Sequence, residues 1–549
     1  MRVAIAQVNP VVGNLRGNRR LVEEAAAKAA DARADVVVLP ELVLTGYPPM
    51  DLLSREGFVR DQIRELDALL PASKRVPILL GAALPAEGKA PGEICNTAVL
   101  LADGRRVARQ DKTHLPTYDV FDEKRYFRPA ERRSPCELGG VPVGLTVCED
   151  SWVDEYRYPV NPIAELAAAG AQCIFNISAS PWHLDKAGER REMISRLARS
   201  QATPIVFVNQ VGGNDELIFD GGSFVCDARG GVIASLPLFE TAFEVIDLDA
   251  AHESLEPSAV EDPEHVVQLE AGLCLGIGDY FHKQGLPPDA VIGLSGGIDS
   301  AVTAHLACLA LGPESVLGIA MPGPFSSDHS VDDALALGRN LGIEVRKVDI
   351  TPVYESYIAI FGDLLGKRDD YGIAQQNIQS RIRGATLMAV SNAEGRLVLA
   401  TGNKSELSTG YCTLYGDTVG GIAVLGDVYK RDVYALAHLA NRAEERIPLR
   451  TIEKPPSAEL APDQLDSDDL PPYEVLDAVL EQAIEGQRSA SGIEVPPGTT
   501  AKAVRDIVKR LDRNEYKRRQ APLVLRTSPK AFGSGRRLPI VHRFIESED

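Results

Sequence analysis

Residues 291–300 read VIGLSGGIDS, and the fold of the chain follows from how that stretch is parsed. Val291, Ile292, Gly293 and Leu294 form a short apolar run, as in a buried parallel strand. Ser295, Gly296 and Gly297 make a turn. The spacing of Ile298, Ala301, Val302, Leu306 and Leu309 then predicts a helix over 298–311. Adjacent glycines let backbone N–H groups approach an anion with no Cβ between, and the helix N-terminus adds partial positive charge. The result is a phosphate cradle. It is not a Walker loop, because no Gly-Lys-Ser/Thr closes it. Asp299 and Ser300 open the helix instead, and Asp299 is a candidate magnesium ligand. A glycine pair is more plainly an ordinary tight turn, but the order strand, turn, Asp-Ser, helix argues against that.

Working outward, a strand over 315–320, a helix over 328–341, a strand over 344–350 and a helix over 353–365 repeat the βα unit, which predicts a doubly wound parallel sheet. A helix over 266–284 leads into the first strand. Upstream, residues 1–250 also alternate strands with helices. Strands are expected at 3–7, 36–39, 78–82, 141–147, 173–177, 205–209, 223–226 and 243–248, with helices at 18–34 and 187–201. No internal repeat relates the halves, so two different α/β domains are expected, 1–250 and 266–549. They are joined by a linker at 251–265 within the acidic, proline-containing stretch 247–265.

Composition narrows the function. The chain has 549 residues, 44% hydrophobic and 25% charged, as in a two-domain globular protein. A net charge of −20 argues against a nucleic-acid binder or a protein of anionic membranes. No run of 18 apolar residues is present, and the start MRVAIAQVNP reads as a strand and not as a signal peptide. Eight scattered cysteines with no C-x-x-C point to reduced thiols in a cytoplasm.

In the first half, three strand-end or loop positions carry reactive groups. Glu41 follows VVVLP, Lys112 lies in QDKTHLPTY, and Cys148 ends VPVGLTV. Taken singly they are a cap, a surface charge and a core thiol. Together they suit an activated nucleophile. PELVLTGYPP, DKTHLPTYDVFDEKRYF and VCEDSW resemble the nitrilase superfamily across most of 1–250. That resemblance implies an αββα layered domain, with Glu41 as general base, Cys148 as nucleophile and Lys112 as the oxyanion-stabilising cation. Many simple nitrilases carry an aromatic residue after the cysteine. Here it is Glu149, as in the glutaminase branch fused to NAD synthetases. The branch implies a glutamine site of Tyr47, Tyr118, Glu149, Phe175, Ser180 and Lys186. Half-buried packing is the plainer role for the tyrosines, and a solvated charge for Lys186.

In the second half, SGGIDS resembles the pyrophosphatase-type loop of enzymes that adenylate a substrate, among them synthetases of GMP, asparagine, argininosuccinate and NAD. The later motifs QQNIQSRIRG, LATGNKSELSTG, YCTLYGDTVGG, LGDVYKRDVY, NEYKRRQAP and RTSPKAFGSGRRLP resemble the NAD synthetase family across 266–540. The resemblance implies an adenine nucleotide alpha hydrolase-like fold. It implies ATP on Gly293, Leu294, Ser295, Gly296, Gly297, Ile298, Asp299, Ser300, Thr401 and Lys430. Asp299 and Glu406 would hold Mg²⁺, and Asn377, Arg381, Glu406 and Lys517 would contact deamido-NAD+. On spacing alone, Asn403 and Glu406 also read as a capping box, with Asn for Ser or Thr. The six basic residues between 509 and 519 are a solvated face or a dinucleotide contact. The proline-rich stretch 453–473 is a lid or structural covering.

The implied reaction consumes deamido-NAD+, L-glutamine, ATP and water and gives NAD+, L-glutamate, AMP and diphosphate, with ammonia passing along an internal channel. The family resemblance also implies a homo-oligomer, an octamer in bacterial relatives. Two alternatives stay open at this point. One is glutamine-dependent amidation of another adenylated carboxylate. The other is an amidase fused to a nucleotide sensor.

Overall fold

The computed structural model describes every residue except 56, 89–91, 250–259, 366–371, 463, 543 and 545–549. Most of the expected linker therefore lies outside the described residues. The chain divides into two compact units, Met1–Pro263 and Glu264–Asp549.

Among its described residues the first unit holds fourteen strands. They are β1 (Arg2–Gln7), β2 (Val36–Val38), β3 (Ile78–Pro85), β4 (Ile94–Ala102), β5 (Arg105–Asp111), β6 (Cys136–Leu138), β7 (Val141–Val147), β8 (Cys173–Ser178), β9 (Ile205–Asn209), β10 (Val211–Asn214), β11 (Leu217–Asp220), β12 (Phe224–Cys226), β13 (Val232–Ser235) and β14 (Ala242–Asp247). Two six-stranded sheets form, in the orders β14-β1-β2-β3-β4-β5 and β13-β12-β9-β8-β7-β6, with β10 and β11 as a separate hairpin. Alternation along each strand decides the layering. Val3, Ile5, Val36 and Val38 face Leu145, Val147, Phe175 and Val206 in a core between the sheets. Their neighbours Ala4, Ala6, Val37 and Leu39 face outward, against the helices Leu15–Asp31 and Phe58–Ala68. Helices Pro162–Ala168 and Lys186–Gln201 cover the outer face of the second sheet through Ile163, Leu166, Ile194 and Leu197. The layers are αββα, as the nitrilase resemblance implies.

The second unit holds one six-stranded sheet: β15 (Ala290–Leu294), β16 (Val316–Ala320), β17 (Glu344–Lys347), β18 (Leu397–Ala400), β19 (Ile422–Ala423) and β20 (Leu523–Val524). Every pairing is parallel, in the order β17-β16-β15-β18-β19-β20. Strand order reverses between β15 and β18, the switch point where a doubly wound sheet opens a crevice at its strands' carboxyl ends. The turn Ser295–Gly297 leaves β15 at that crevice, and Thr401–Asn403 leaves β18 beside it. Among the described residues no helix is long and apolar enough to cross a membrane.

Candidate functional site

In the first unit, chemistry gathers at strand ends. Glu41 follows β2 and is fully buried. Its backbone lies against β3 because position 81 is glycine; a Cβ there would come within 2.1 Å of Leu42 N. Glu41 Oε1 accepts the ammonium of Lys112 at 2.8 Å and the amide of Asn96 at 2.6 Å, and Oε2 accepts the N–H of Ala179 at 2.9 Å. Lys112 stands one residue past β5, 1% exposed, and also donates to Glu123 Oε1 at 2.8 Å. Stranding either charge of such a buried pair costs about 3–5 kcal/mol. Cys148 follows β7 and opens a short turn, Cys148–Ser151, at φ +42°. That left-handed conformation costs a non-glycine residue about 1–3 kcal/mol, and surrounding contacts must hold it. Ser151 Oγ donates to Cys148 O at 2.8 Å, and Asn176 Nδ2 reaches the same oxygen at 3.5 Å.

Electrostatics sets the resting protonation. Burial and then the charge of Glu41 push the Cys148 thiol well above its ordinary range, against the pull of Lys112. Burial alone would lower Lys112, but the charges of Glu123, Glu41 and Cys148 carry it well above the usual lysine value. Burial thus favours the neutral thiol of Cys148, while the neighbouring carboxylates favour the charged form of Lys112.

The residues expected at a glutamine site have different surroundings. Tyr118 OH donates to Glu149 Oε1 at 2.9 Å, and Tyr158 OH donates to the same atom at 2.9 Å. Burial raises Glu149 to about 7, opposed by the charge of Lys112 and by both tyrosines. Tyr47 OH is committed to Glu123 Oε1 at 2.7 Å. Ser180 is buried on the loop after β8 that also presents Ala179 to Glu41, and Lys186 Nζ lies 3.8 Å from the ring centroid of Trp152. Phe175 is fully buried on β8, in the same hydrophobic cluster between the sheets that contains Cys148.

In the second unit, a cleft of about 280 Å³ opens at the switch point. Gly293, Leu294, Ser295, Gly297, Ile298, Asp299, Ser300, Thr401, Glu406 and Lys430 all line it. Gly296 makes the turn itself: its φ is +75°, and a Cβ would meet Ser330 O at 2.3 Å. Asp299 Oδ1 accepts Asn403 Nδ2 at 2.9 Å, and Oδ2 accepts Lys430 Nζ. The capping box forms as spacing suggested, with Glu406 N–H on Asn403 Oδ1 at 3.0 Å and Asn403 N–H on Glu406 Oε2 at 3.3 Å. The two readings of NKSE are thus compatible: Glu406 caps its own helix, Lys404–Thr409, and still faces the cleft, 3.8 Å from Lys430 Nζ. Burial and the nearby Asp299 hold Glu406 well above the carboxylate range. Two carboxylates crowded in this way suit a small divalent cation completed by phosphate oxygens. From the proline-rich stretch, Lys454–Leu460 and Asp466 line the same cleft, and Ser330 Oγ donates to Glu459 Oε1 at 2.7 Å. The stretch therefore covers the cleft.

Asn377, Arg381 and Lys517 lie beside the cleft and not in its lining. All three fasten one loop. Asn377 Oδ1 accepts Thr413 OH at 2.7 Å, Arg381 Nε donates to Leu414 O at 3.2 Å, and Lys517 Nζ donates to Gly410 O and Cys412 O at 2.7 Å. Nor is the basic run near the end a plain solvated face. Arg510 Nε donates to Thr409 O at 2.9 Å and Arg518 Nη1 to Ser408 O at 2.9 Å, so cations cap the C-terminus of the Glu406 helix.

Comparison with known proteins agrees with this geometry. The carbon-nitrogen hydrolase family matches residues 2–254, and the NAD synthase family matches residues 270–521. A glutamine-dependent NAD(+) synthetase of Synechocystis sp. is 43% identical over 559 residues, covering 99% of each chain. The chain belongs to the glutamine-dependent NAD(+) synthetase family. A second family member, from Thermotoga maritima, is 41% identical, covering 100% of this chain and 99% of the relative. The structure of the Acinetobacter baumannii glutamine-dependent NAD+ synthetase in complex with ADP superposes with a TM-score of 0.78 at 35% identity, over 98% of both chains.

Within this family site, sequence reasoning passed over several residues. Glu123 is a second buried glutamate on Lys112, inside the quoted DVFDEKRYF, and nothing in its spacing marks it. Asn96 sits on β4, which was not expected as a strand. The Asp103-Gly104 dipeptide, with φ of +54° and +76°, is the turn signal that reveals the β4–β5 hairpin. Lys404, fully buried, pairs with Asp427 at 2.6 Å and with Glu485, anchoring the helix that carries Glu406. Its neighbours in NKSE drew attention away from it.

Proposed function

We propose that the chain makes NAD+ from deamido-NAD+, ATP and L-glutamine, with the first unit releasing ammonia and the second consuming it. The observation that carries this reading is that one chain holds both a buried Glu–Lys–Cys cluster and a glycine-turn cleft at a switch point. In the first unit, Glu41 takes the thiol proton of Cys148 as sulfur attacks the glutamine amide carbonyl. Lys112 stabilises the oxyanion, and Glu123 and Glu41 hold its ammonium in place. The proton passes to the leaving nitrogen, ammonia departs, and water hydrolyses the thioester to glutamate. Glu149, with Tyr118, receives the substrate's α-ammonium; Ser180 and Lys186 complete the pocket.

In the second unit, the nicotinate carboxylate of deamido-NAD+ attacks the α-phosphorus of ATP and diphosphate leaves. The Ser295–Gly297 turn holds phosphate oxygens, Lys430 neutralises charge, and Thr401 borders the nucleotide. Asp299 and Glu406 would hold Mg²⁺, whose charge stabilises the departing diphosphate. Asn377, Arg381 and Lys517 orient the dinucleotide. Ammonia then attacks the adenylate carbonyl and AMP leaves. The reading carries with it a cytoplasmic homo-oligomer. The deciding assay measures NAD+ and AMP from ATP and deamido-NAD+ with glutamine or ammonium as nitrogen source. AMP formed with a different carboxylate and not with deamido-NAD+ would favour another acceptor, and ATP bound without turnover would favour a sensor.

Two outcomes follow at the substrate sites. Glu149 must be ionised to pair with an ammonium, and burial holds its carboxyl at about 7. The pair is therefore present above that pH and lost as pH falls through it. The KM for glutamine should rise by up to about tenfold per pH unit below 7, while ammonium-driven synthesis does not share that term. A glutamine KM that stays flat from about pH 8 to about pH 5.5 rules the pairing out. At the second site, Lys517→Ala should raise the KM for deamido-NAD+ about tenfold and leave that for ATP within about twofold, since the lysine fixes the Gly410–Cys412 carbonyls beside Asn377 and Arg381. Equal effects on both substrates would count against a dinucleotide role.

A further inference from the structure

Asp150 lies two residues past Cys148 in the turn Cys148–Ser151 and is 1% exposed. Its carboxylate joins the two chain segments that carry the nucleophile and the cation. Oδ1 accepts the N–H of Thr113 at 2.8 Å and of His114 at 2.9 Å, the residues that directly follow Lys112. Oδ2 accepts the N–H of Val147 at 3.1 Å, the residue that directly precedes Cys148. Lys112 follows β5 of the first sheet, and Cys148 follows β7 of the second. One buried carboxylate therefore clasps the sheets together at the two strand ends where thiol and ammonium must meet. It also braces the left-handed Cys148 elbow from the side of Val147, while Ser151 braces it through Cys148 O at 2.8 Å. None of the steps above uses Asp150.

The choice of side chain is specific. An ionised carboxylate is acceptor-only and has lone pairs for three donors. Asparagine has the same shape but offers one oxygen, and its amide would set N–H against N–H at Val147. Burial raises the Asp150 carboxyl to about 6, and the N–H groups of His114, Val147 and Thr113, together with the Lys112 charge, work against that rise.

We propose that Asp150 is a positioning residue of the glutaminase step: it fixes the Cys148 elbow in register with Lys112, so that sulfur, substrate carbonyl and ammonium stay aligned during attack. This rests on Cys148 and Lys112 acting as described under the proposed function. The glutamine pocket of Glu149 and Tyr118 keeps its own contacts, so the defect on losing Asp150 belongs in turnover and not in binding.

The test is Asp150→Asn in the full-length protein, with kcat read per site labelled by 6-diazo-5-oxo-L-norleucine, a glutamine analogue that alkylates such thiols. Labelling to completion counts folded sites, so partial misfolding does not hide the result. Glutaminase kcat per labelled site should fall about 30- to 100-fold, with the KM for glutamine within about twofold of the parent, as expected when reacting groups are misplaced but substrate is still held. Ser151→Ala, a milder change at the same elbow, should show the same split with a fall of about threefold to tenfold. A kcat per labelled site within about threefold of the parent in Asp150→Asn overturns the proposal, as does a loss that appears only in KM or only in the number of labelled sites. Cys148→Ala measured in parallel separates the two levels. Glutaminase surviving there sinks the nucleophile reading and this assignment with it. Its loss there, beside a normal Asp150→Asn, sinks the role of Asp150 alone.

Discussion

Cys148→Ala will abolish glutamine-driven NAD+ formation and leave ammonium-driven formation at close to the parent rate. The thiol is the nucleophile proposed for the amide, and alanine offers none, so glutamine hydrolysis should fall by at least about 10⁴-fold. Glu41 and Lys112, paired at 2.8 Å in the parent, have no sulfur to activate in the variant. Ammonia added to the solution needs neither group. The residue is buried, so the lost packing costs about 1 kcal/mol, and alanine tolerates φ +42° no worse than cysteine does. A core cysteine of purely structural role predicts otherwise: both activities fall together, or neither does. Both nitrogen sources are measured on one preparation whose folding is checked by circular dichroism. Survival of glutamine-driven synthesis, or loss of the ammonium-driven reaction, would falsify the nucleophile assignment.

What made this site legible was position on the chain. Glu41 and Cys148 each follow an apolar run that ends abruptly in a charged or reactive residue; β7 ends directly before Cys148, and β2 ends at Val38, shortly before Glu41. The second unit was legible for the same reason: VIGLSGGIDS and LATGNKSE both pass from strand to turn to helix, and the two strands prove adjacent at the switch point. Residues that act from the middle of an element carried no such mark. Phe175 lies on the face of β8 that it shares with Ile177, in the core cluster that also holds Cys148, while Asn176 and Ser178 point to the other face.

Charge was harder to read than pattern. The basic run 509–519 reads as a solvated face or a dinucleotide contact, yet two of its arginines and Lys517 spend donors on carbonyls of the segment Ser408–Cys412. A sequence shows the cations and hides the carbonyls that hold them, because those carbonyls are created only when a helix ends there. Lys404 and Asp427, 23 positions apart in the chain, meet at 2.6 Å in the same way. Such pairings need tertiary structure to be seen.

Asp299→Asn will remove NAD+ formation from both nitrogen sources and spare glutamine hydrolysis. Asp299 faces three things in the cleft: Asn403 at 2.9 Å, the ammonium of Lys430, and the carboxyl of Glu406, which its charge helps to hold above the ordinary range. Asparagine keeps the shape and one acceptor but removes the negative charge from the position proposed to hold Mg²⁺ beside the phosphates. The cleft should tolerate the change. With Asp299 neutral, Glu406 ionises more readily and can serve as the partner of Lys430, now 3.8 Å away. That compensation preserves the fold but not a pair of carboxylates for a divalent cation. Adenylate formation should therefore drop by at least about 10³-fold, since charge at the departing diphosphate would go unneutralised. Glutaminase activity, assigned by the proposal to Glu41, Lys112 and Cys148, should stay within a few-fold of the parent. The variant is the mirror image of Cys148→Ala: one loses a single nitrogen source, the other loses the product whichever source is supplied. NAD+ made at the parent rate by Asp299→Asn at ordinary Mg²⁺ would show that the carboxylate holds no metal. Loss confined to the glutamine-driven reaction would mean that the substitution disturbs ammonia supply and leaves the adenylation site intact.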